Sequence, residues 1–150
     1  MSSIALTTTG LPSLFYTAPT ISNGTTNTVY NPVWTVVSAK SRYDSSIVPT
    51  TLVDANGAVH IPTSGNWRIV IDAYYQGATN AGSLNTGQNC TINFDDKYVS
   101  MSPSAYGYLA IQLTYERYIT AGTVLAEAGI QANYGGYQCQ NLVMNISKTS

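Results

Sequence analysis

Residues 57–76 have the clearest alternation of apolar and polar positions in the chain. In the second half of this stretch the apolar phase consists of Trp67, Ile69, Ile71, Ala73 and Tyr75. Because successive side chains of a strand point to opposite faces, this period of two predicts a long strand with one buried face. A short extended run at residues 58–61 comes before it, and residues 62–66 have the composition of a turn.

The same alternation recurs at four later places. The predicted inward phases are Cys90, Ile92 and Phe94; Leu109, Ile111, Leu113 and Tyr115; Val124, Ala126, Ala128, Ile130 and Ala132; and Leu142, Met144 and Ile146. Helix competes only over residues 124–131, where Ala, Leu and Glu favour it. Gly129 and the neighbouring strands argue against a helix there. The pattern predicts an all-β jelly-roll sandwich of about eight to ten antiparallel strands.

The remaining stretches predict shorter strands and loops. Residues 29–37 are apolar on both faces, and Pro32 restricts such a strand to an edge or a bulge. Residues 48–53 form a short strand that a turn at residues 54–57 closes. Loops are expected at residues 40–44, 77–88, 102–107 and 133–140. A chain of 150 residues is long enough to bury its own core, so we expect one domain: residues 29–150, after a lead-in with an edge strand at 1–28.

The strand and turn at residues 57–75 resemble a hairpin of the C1q/TNF-like jelly rolls, in which a Gly at the corner precedes an aromatic residue that begins a core strand. The matching residues are Val59, Ile61, Pro62, Gly65, Trp67, Ile69 and Ile71. The resemblance continues through the strand pair around Gly122 and the closing apolar strand at residues 142–146, and covers about residues 29–149.

The resemblance implies a homotrimer with a hydrophobic channel along its threefold axis, for which Trp34, Tyr74 and Tyr118 are interface candidates. It also implies that Cys90 and Cys139 lie near one another. The two cysteines then form either one disulfide or two small buried side chains.

Composition narrows the classes of partner. Charged residues make up only 9% of the chain and the net charge is -1, so the clustered cations that nucleic acid requires are missing. No apolar run approaches the length of a membrane span, so we expect no membrane insertion. The first residues lack the pattern of a signal peptide. We therefore expect either a fragment of a longer chain or a protein made without classical secretion, as on the surface of a virion.

The residues that could support catalysis or metal binding are few. His60 is the only histidine, and no Gly-x-Ser-x-Gly elbow is present. Three carboxylates, Asp72, Glu116 and Glu127, lie on the polar phases of predicted strands. A glycoside hydrolase needs two carboxylates at a fixed separation, and each of these three can instead be an ordinary solvated residue. Asp95 and Asp96 could bind a cation such as calcium, but two adjacent carboxylates in a hairpin are also an ordinary turn, and the spaced ligands of a calcium loop are missing, so no ligands are assigned. We predict no catalytic residue, no metal and no cofactor.

A surface of aromatic and amide side chains remains as the candidate for binding. The chain has 12 tyrosines, and a tyrosine ring with its hydroxyl suits stacking and hydrogen bonding to a sugar or a protein. The binding candidates on predicted loops are Tyr106, Tyr108, Tyr134, Tyr137, Gln138, Asn80 and Asn85. The same tyrosines could equally serve only to hold the loops in place.

The sequence thus favours a non-enzymatic attachment module, the trimeric head of a viral or phage fibre or spike that binds a cell-surface glycan or protein. One alternative is a structural capsid decoration or fibre-trimerisation domain without a receptor. A second alternative is a glycan-processing hydrolase domain.

Overall fold

The computed structural model describes residues 11–41, 51–76, 88–102 and 108–150. These ranges contain no helix, and hence none long and apolar enough to cross a membrane. Their strands are β1 (Pro12–Ala18), β2 (Ile21–Gly24), β3 (Thr35–Ser41), β4 (Val59–His60), β5 (Gly65–Gln76), β6 (Cys90–Phe94), β7 (Lys97–Met101), β8 (Leu109–Ile119), β9 (Val124–Leu125), β10 (Ala128–Ala132) and β11 (Tyr137–Lys148).

The strands form a larger sheet, a smaller sheet and one short ladder. The larger sheet has the order β3-β1-β11-β5-β8, and β2 also pairs with β11. The smaller sheet has the order β10-β6-β7, and β4 pairs with β9. Every named pair is antiparallel. The predicted all-β sandwich is confirmed.

The core lies between the two sheets and consists of the inward phases that the sequence predicts. Trp67, Ile69 and Ile71 of β5 are fully buried, as are Ile92 and Phe94 of β6. The Phe94 ring meets the Tyr115 ring of β8 edge to face at 5.2 Å between centroids, which joins the two sheets directly. Burying each such large side chain contributes about 1.5–3 kcal/mol, so these central strands dominate the stability of the fold.

The predicted turn at residues 54–57 is confirmed. Asp54 Oδ1 accepts hydrogen bonds from the backbone N–H groups of Asn56 (2.8 Å) and Ala58 (3.1 Å). Gly57 has a φ of 91°, which lies in the region that glycine adopts without strain. The turn sets Val53 opposite Val59 in a single bridge. A strand was expected at residues 48–53. Residues 48–50 lie outside the described ranges, and residues 51–53 contribute only this one bridge.

The prediction of an edge strand at the start of the chain is wrong for β1. This strand pairs with β11 on one side and β3 on the other, so it lies inside the larger sheet. Leu14 and Tyr16 are fully buried on its inner face. β1 contains one proline, Pro12, which stands at the first position of the strand, where the missing N–H is tolerated. β1 and β2 are therefore part of the main sheet and do not form a lead-in to it.

The strand expected at residues 29–37 begins later. β3 starts at Thr35, and before it only Tyr30 pairs, in a single bridge with Ile130. The sequence predicted an edge or a bulge for this strand, and among the strands of the described ranges β3 is the last in the order of the larger sheet, with a register shift in its pairing with β1. Lys40 and Ser41 belong to β3, so the loop expected at residues 40–44 is wrong at its start; residues 42–44 lie outside the described ranges.

The inward phase predicted from Val124 onward is wrong in its first half. Val124 and Ala126 are exposed and Leu125 is buried, whereas Ala128, Ile130 and Ala132 are inward as expected. The chain changes phase between β9 and β10, where the backbone N–H of Ala126 donates to Asp95 Oδ1 at 2.9 Å. Strands, and no helix, form over residues 124–131, as the sequence indicates.

Candidate functional site

A depression on the outward face of the larger sheet brings aromatic, amide and carboxylate groups together. It has a volume of about 450 Å³ and is lined by Asp72, Ala73, Tyr74, Ala110, Ile111, Gln112 and Asn141. It lies towards the ends of β5 and β8 marked by Gln76 and Leu109. Small-molecule sites commonly have volumes of this order and a few polar groups.

Register and a bulge shape this depression. The pairing of β5 with β8 sets Asp72 opposite Gln112 and Tyr74 opposite Ala110, whose small side chain leaves room. On the other side of β5 the register of β11 shifts between Gln140 and Val143. Within that shift Asn141 has a φ of 53°, a left-handed conformation that asparagine tolerates better than most residues. The bulge interrupts the third strand beside the depression.

The polar groups of the depression are held in place by a hydrogen bond across the strands. Gln112 Nε2 donates to Asp72 Oδ1 at 2.9 Å. This bond fixes the carboxylate and leaves Asp72 Oδ2 and Gln112 Oε1 as further acceptors. Asn141 adds a side-chain amide, and among the described residues that line the depression Asp72 is the only charged one.

The aromatic groups form a stacked pair beside the carboxylate. The rings of Tyr74 and Tyr108 are 5.5 Å apart between centroids, with 30° between their planes. Tyr108 does not line the depression itself, and about half of its surface is exposed. A stacked tyrosine pair presents a broad apolar surface with hydroxyls at its margin.

The outward face next to the depression is uncharged along one row. This row crosses four adjacent strands and consists, in order, of Phe15, Asn145, Val70 and Thr114. The next row towards the depression contains Asp72, and the row on the other side contains Arg68 and Glu116, whose charged groups are 4.0 Å apart.

The three interface candidates do not share one surface. Tyr74 and Tyr118 both belong to the outward phase, on β5 and β8, and Tyr118 is 62% exposed. Trp34 instead packs half-buried against the core, and its Nε1 has no partner within the described ranges. Whether any of them contacts another copy stays a prediction.

Of the predicted binding residues, Tyr108 and Gln138 are exposed, whereas Tyr137 is fully buried and was wrongly expected on a loop surface. Tyr137 begins β11, and its ring contacts three others at centroid distances of 5.5–6.3 Å, namely Tyr30, Tyr75 and Tyr134. Tyr134 is half-buried, and its hydroxyl donates to the Gln76 carbonyl at 3.1 Å. Tyr106, Asn80 and Asn85 lie outside the described residues.

Cys90 and Cys139 are free buried thiols, so the structure contains no disulfide between them. Burial raises the pKa of the Cys90 thiol to about 11 and that of Cys139 to about 12. Cys90 Sγ lies 3.7 Å from the Tyr134 hydroxyl. Of the two alternatives for these cysteines, small buried side chains is the one that the structure adopts.

The two adjacent aspartates of the β6–β7 turn are engaged by protein donors. Asp95 accepts from the Tyr115 hydroxyl at 3.2 Å, besides its bond from Ala126. Both oxygens of Asp96 accept from Arg117 at 3.1 Å, and the Arg117 guanidinium lies 3.9 Å from the Tyr115 ring centroid. The bond to Asp96 raises the pKa of Arg117. No group of three or more His, Cys, Asp or Glu side chains that could hold a metal occurs among the described residues.

His60 pairs with a carboxylate at the surface. Its Nε2 lies 2.7 Å from Asp54 Oδ2, and both side chains are more than a third exposed. The hydrogen bond from His60 lowers the pKa of Asp54 below its usual range. Asp54 also closes the β-turn before β4, so this pair has a structural role.

The comparisons with known proteins concern structure. No protein-family model matches the chain, and no curated protein is similar enough in sequence to match. The structure of Eiger TNF from S. frugiperda matches with a TM-score of 0.58 and 10% identity, over 94% of this chain and 94% of that chain. Murine APRIL at pH 5.0 matches with a TM-score of 0.53 and 12% identity, over 93% and 99%. The fold is a TNF-like jelly roll. At these identities the likeness concerns the fold alone, and it confirms the C1q/TNF-like resemblance seen in the sequence.

Two residues that line the depression, Gln112 and Asn141, were not predicted from the sequence. The sequence shows Gln112 only as a polar position of a predicted strand. The pairing of β5 with β8 is what places it opposite Asp72. Asn141 stood beside a predicted strand, and asparagine is poorly suited to strand interiors. That low preference was the one signal that could have indicated the bulge.

Proposed function

We propose that this chain is the receptor-binding head of a viral or phage fibre or spike, a non-enzymatic attachment module that works as a homotrimer on the virion surface. The observation that supports this best is the outward face of the larger sheet. It offers a broad surface for other copies, and the depression at its end offers groups for a ligand.

The outward face suits burial against a second copy. Its uncharged row of Phe15, Asn145, Val70 and Thr114 crosses four strands, and Phe15 is 40% exposed in the single chain. Interface cores are depleted in charge, and polar groups concentrate at their rims. The charges of Arg68 and Glu116 lie to one side of this row, as a rim would require. The C1q/TNF-like resemblance, which implies threefold trimers, agrees with this use of the face.

The placement on a virion rests on the sequence. The low charge and the scarcity of catalytic groups fit a surface module that is assembled with its particle. The receptor is a cell-surface glycan or protein, which the exposed tyrosine and amide groups would contact.

The assembly is tested by light scattering on the full chain. We expect a mass three times that of one chain, and we expect Val70→Glu to yield monomers because it places a charge in the middle of the interface. The matched control is Val124→Glu on β9, where the side chain is 53% exposed, and this variant should stay trimeric. A monomeric wild type, or a Val70→Glu variant that stays trimeric, would contradict the interface.

Receptor binding is tested with the labelled wild-type protein on a panel of candidate host cells, before and after enzymatic removal of surface glycans. Saturable binding supports the attachment function. Loss of binding after glycan removal identifies the receptor as a glycan, and retention identifies it as a protein. A stable trimer that binds no cell in the panel would instead favour a structural decoration.

A further inference from the structure

The depression beside Asp72 combines the groups that recognise a sugar ring. A pyranose has an apolar face of C–H groups and a rim of hydroxyls, so its sites pair an aromatic ring with acceptors and donors at fixed positions. Here the stacked rings of Tyr74 and Tyr108 lie next to the carboxylate of Asp72 and the amides of Gln112 and Asn141.

The carboxylate is already oriented. Gln112 Nε2 holds Asp72 Oδ1 at 2.9 Å, so Oδ2 can accept a hydrogen bond from a ligand without first paying the full entropy of ordering the side chain. The amide oxygen of Gln112 is a second acceptor next to it. Two acceptors at neighbouring positions suit the two hydroxyls of adjacent ring carbons.

The charge of the depression selects among sugars. Asp72 is the only charged residue that the described part of the chain contributes to the lining, and Nε of Arg68, the cation of the same face of β5, lies 4.0 Å from Glu116 Oε2. An anionic sugar would bring its carboxylate or sulfate near Asp72, and no cation among the described lining residues balances that charge, which is unfavourable in a partly buried site. A neutral ring meets no such cost.

We infer that this depression is a binding site for a neutral hexopyranose at the end of a cell-surface glycan. This inference rests on the proposed receptor-binding function and names its ligand class. The ring face lies against Tyr74, and two vicinal hydroxyls donate to Asp72 and Gln112. The depression lies beyond the uncharged row, towards Gln76 and Leu109, so a trimer that is built on that row and leaves Tyr74 outside the contact presents three such sites at one end. Three weak sites on one particle head give strong overall binding to a glycan-covered surface.

The test is a titration of the full ¹⁵N-labelled chain with methyl β-galactopyranoside, methyl β-glucopyranoside, methyl α-mannopyranoside and, separately, N-acetylneuraminic acid. We expect at least one of the neutral glycosides to shift the side-chain amide signals of Gln112 and Asn141. N-acetylneuraminic acid should bind at least about tenfold more weakly than that glycoside.

Variants locate the binding within the depression. Asp72→Asn removes the charged acceptor and should weaken glycoside binding at least about tenfold, and Tyr74→Ala should weaken it by a similar factor. Tyr98→Ala, which removes an exposed ring of β7, should leave the affinity unchanged. Unaltered backbone spectra establish that each variant is folded.

Several outcomes would overturn this site. They are the absence of any amide shift with all three neutral glycosides, equal affinity of Asp72→Asn and wild type, and binding of N-acetylneuraminic acid as tight as that of the best neutral glycoside. If the trimer and cell binding persist while the glycosides give no shift, the hexopyranose site fails and the attachment function stands. If the glycosides bind but neither a trimer nor cell binding is found, the attachment function fails.

Discussion

The ring of Tyr137 lies directly against the α-carbon of Gly24. A β-carbon at Gly24 would overlap the ring atoms Cε1 and Cζ, and the backbone N–H of Gly136 donates to the Gly24 carbonyl at 2.6 Å. The ring cannot move aside, because Tyr30, Tyr75 and Tyr134 surround it. Only a glycine at the end of β2 therefore allows that strand to pair with the start of β11.

Gly24→Ala should destabilise the protein by about 1–3 kcal/mol, the usual cost of forcing extra volume into a packed region. The free energy of unfolding from urea titrations measures this effect. The matched control is Gly135→Ala, since a β-carbon there meets only the Thr26 hydroxyl at 3.1 Å and should cost much less. Equal stabilities of Gly24→Ala and wild type would mean that the ring is not fixed where the structure has it.

The hydroxyl of Tyr16 ties the described segment before β4 to the larger sheet. It accepts a hydrogen bond from the backbone N–H of Leu52 at 2.9 Å, in a buried position. Tyr16→Phe leaves that N–H without its partner, so we expect a loss of about 1–3 kcal/mol in the free energy of unfolding.

The control for Tyr16→Phe is Tyr98→Phe, which removes the hydroxyl of a side chain that is 70% exposed. Surface changes of this kind stay within about 0.5 kcal/mol. A loss for Tyr16→Phe that is no larger than this would mean that water or another acceptor replaces the tyrosine hydroxyl.

The sequence predicted the central strands well because their burial follows a strict period of two. In β5, in β8 and in the part of β11 after its bulge, the inward residues Ile69, Leu113 and Met144 are each part of a regular alternation, and all three are fully buried. Such a pattern has a single structural solution, since shifting the strand by one residue would expose every apolar side chain.

Features that depend on pairing between distant strands could not be predicted. The phase change between Leu125 and Ala128 arises where two short strands pair with different partners, β9 with β4 and β10 with β6. Tyr137 was expected at the surface because Gly135 and Gly136 precede it, yet the contact with Gly24 buries it. The depression depends on the register of Asp72 with Gln112 and on the bulge at Asn141. Neither the register nor the bulge can be predicted from one sequence.

The two cysteines provide a chemical test of the core. Because Cys90 and Cys139 are both buried as free thiols, the native protein should react slowly or not at all with a thiol reagent such as DTNB at about pH 8, where thiolate is the reactive form. After denaturation without a reductant both thiols should react. Reaction of neither thiol in the denatured protein would indicate a disulfide and contradict this structure. Rapid reaction in the native state would contradict the burial.

The raised thiol pKa values also predict that the protein loses stability in alkali. In the unfolded chain a thiol has its ordinary pKa of about 8.5, whereas in the folded protein the pKa values of Cys90 and Cys139 are about 11 and about 12. Between these limits the unfolded state releases protons that the folded state keeps, so the free energy of unfolding falls as the pH rises above about 9. Each thiol contributes at most about 1.4 kcal/mol per pH unit to this fall. Urea titrations between about pH 8 and pH 10.5 measure the slope.

Cys139→Ala isolates the contribution of one thiol to that slope. Removing this group should make the fall in unfolding free energy shallower by up to about 1.4 kcal/mol per pH unit above about pH 9, although the variant starts from a lower stability because the buried sulfur is lost. Tyr98→Phe serves as the matched control, since it changes a side chain that is 70% exposed and lies outside the core, and it should leave the slope unchanged. Parallel pH profiles for Cys139→Ala and wild type would mean that the Cys139 thiol ionises equally easily in the folded and unfolded chains. That result would contradict the complete burial of Cys139 in the structure.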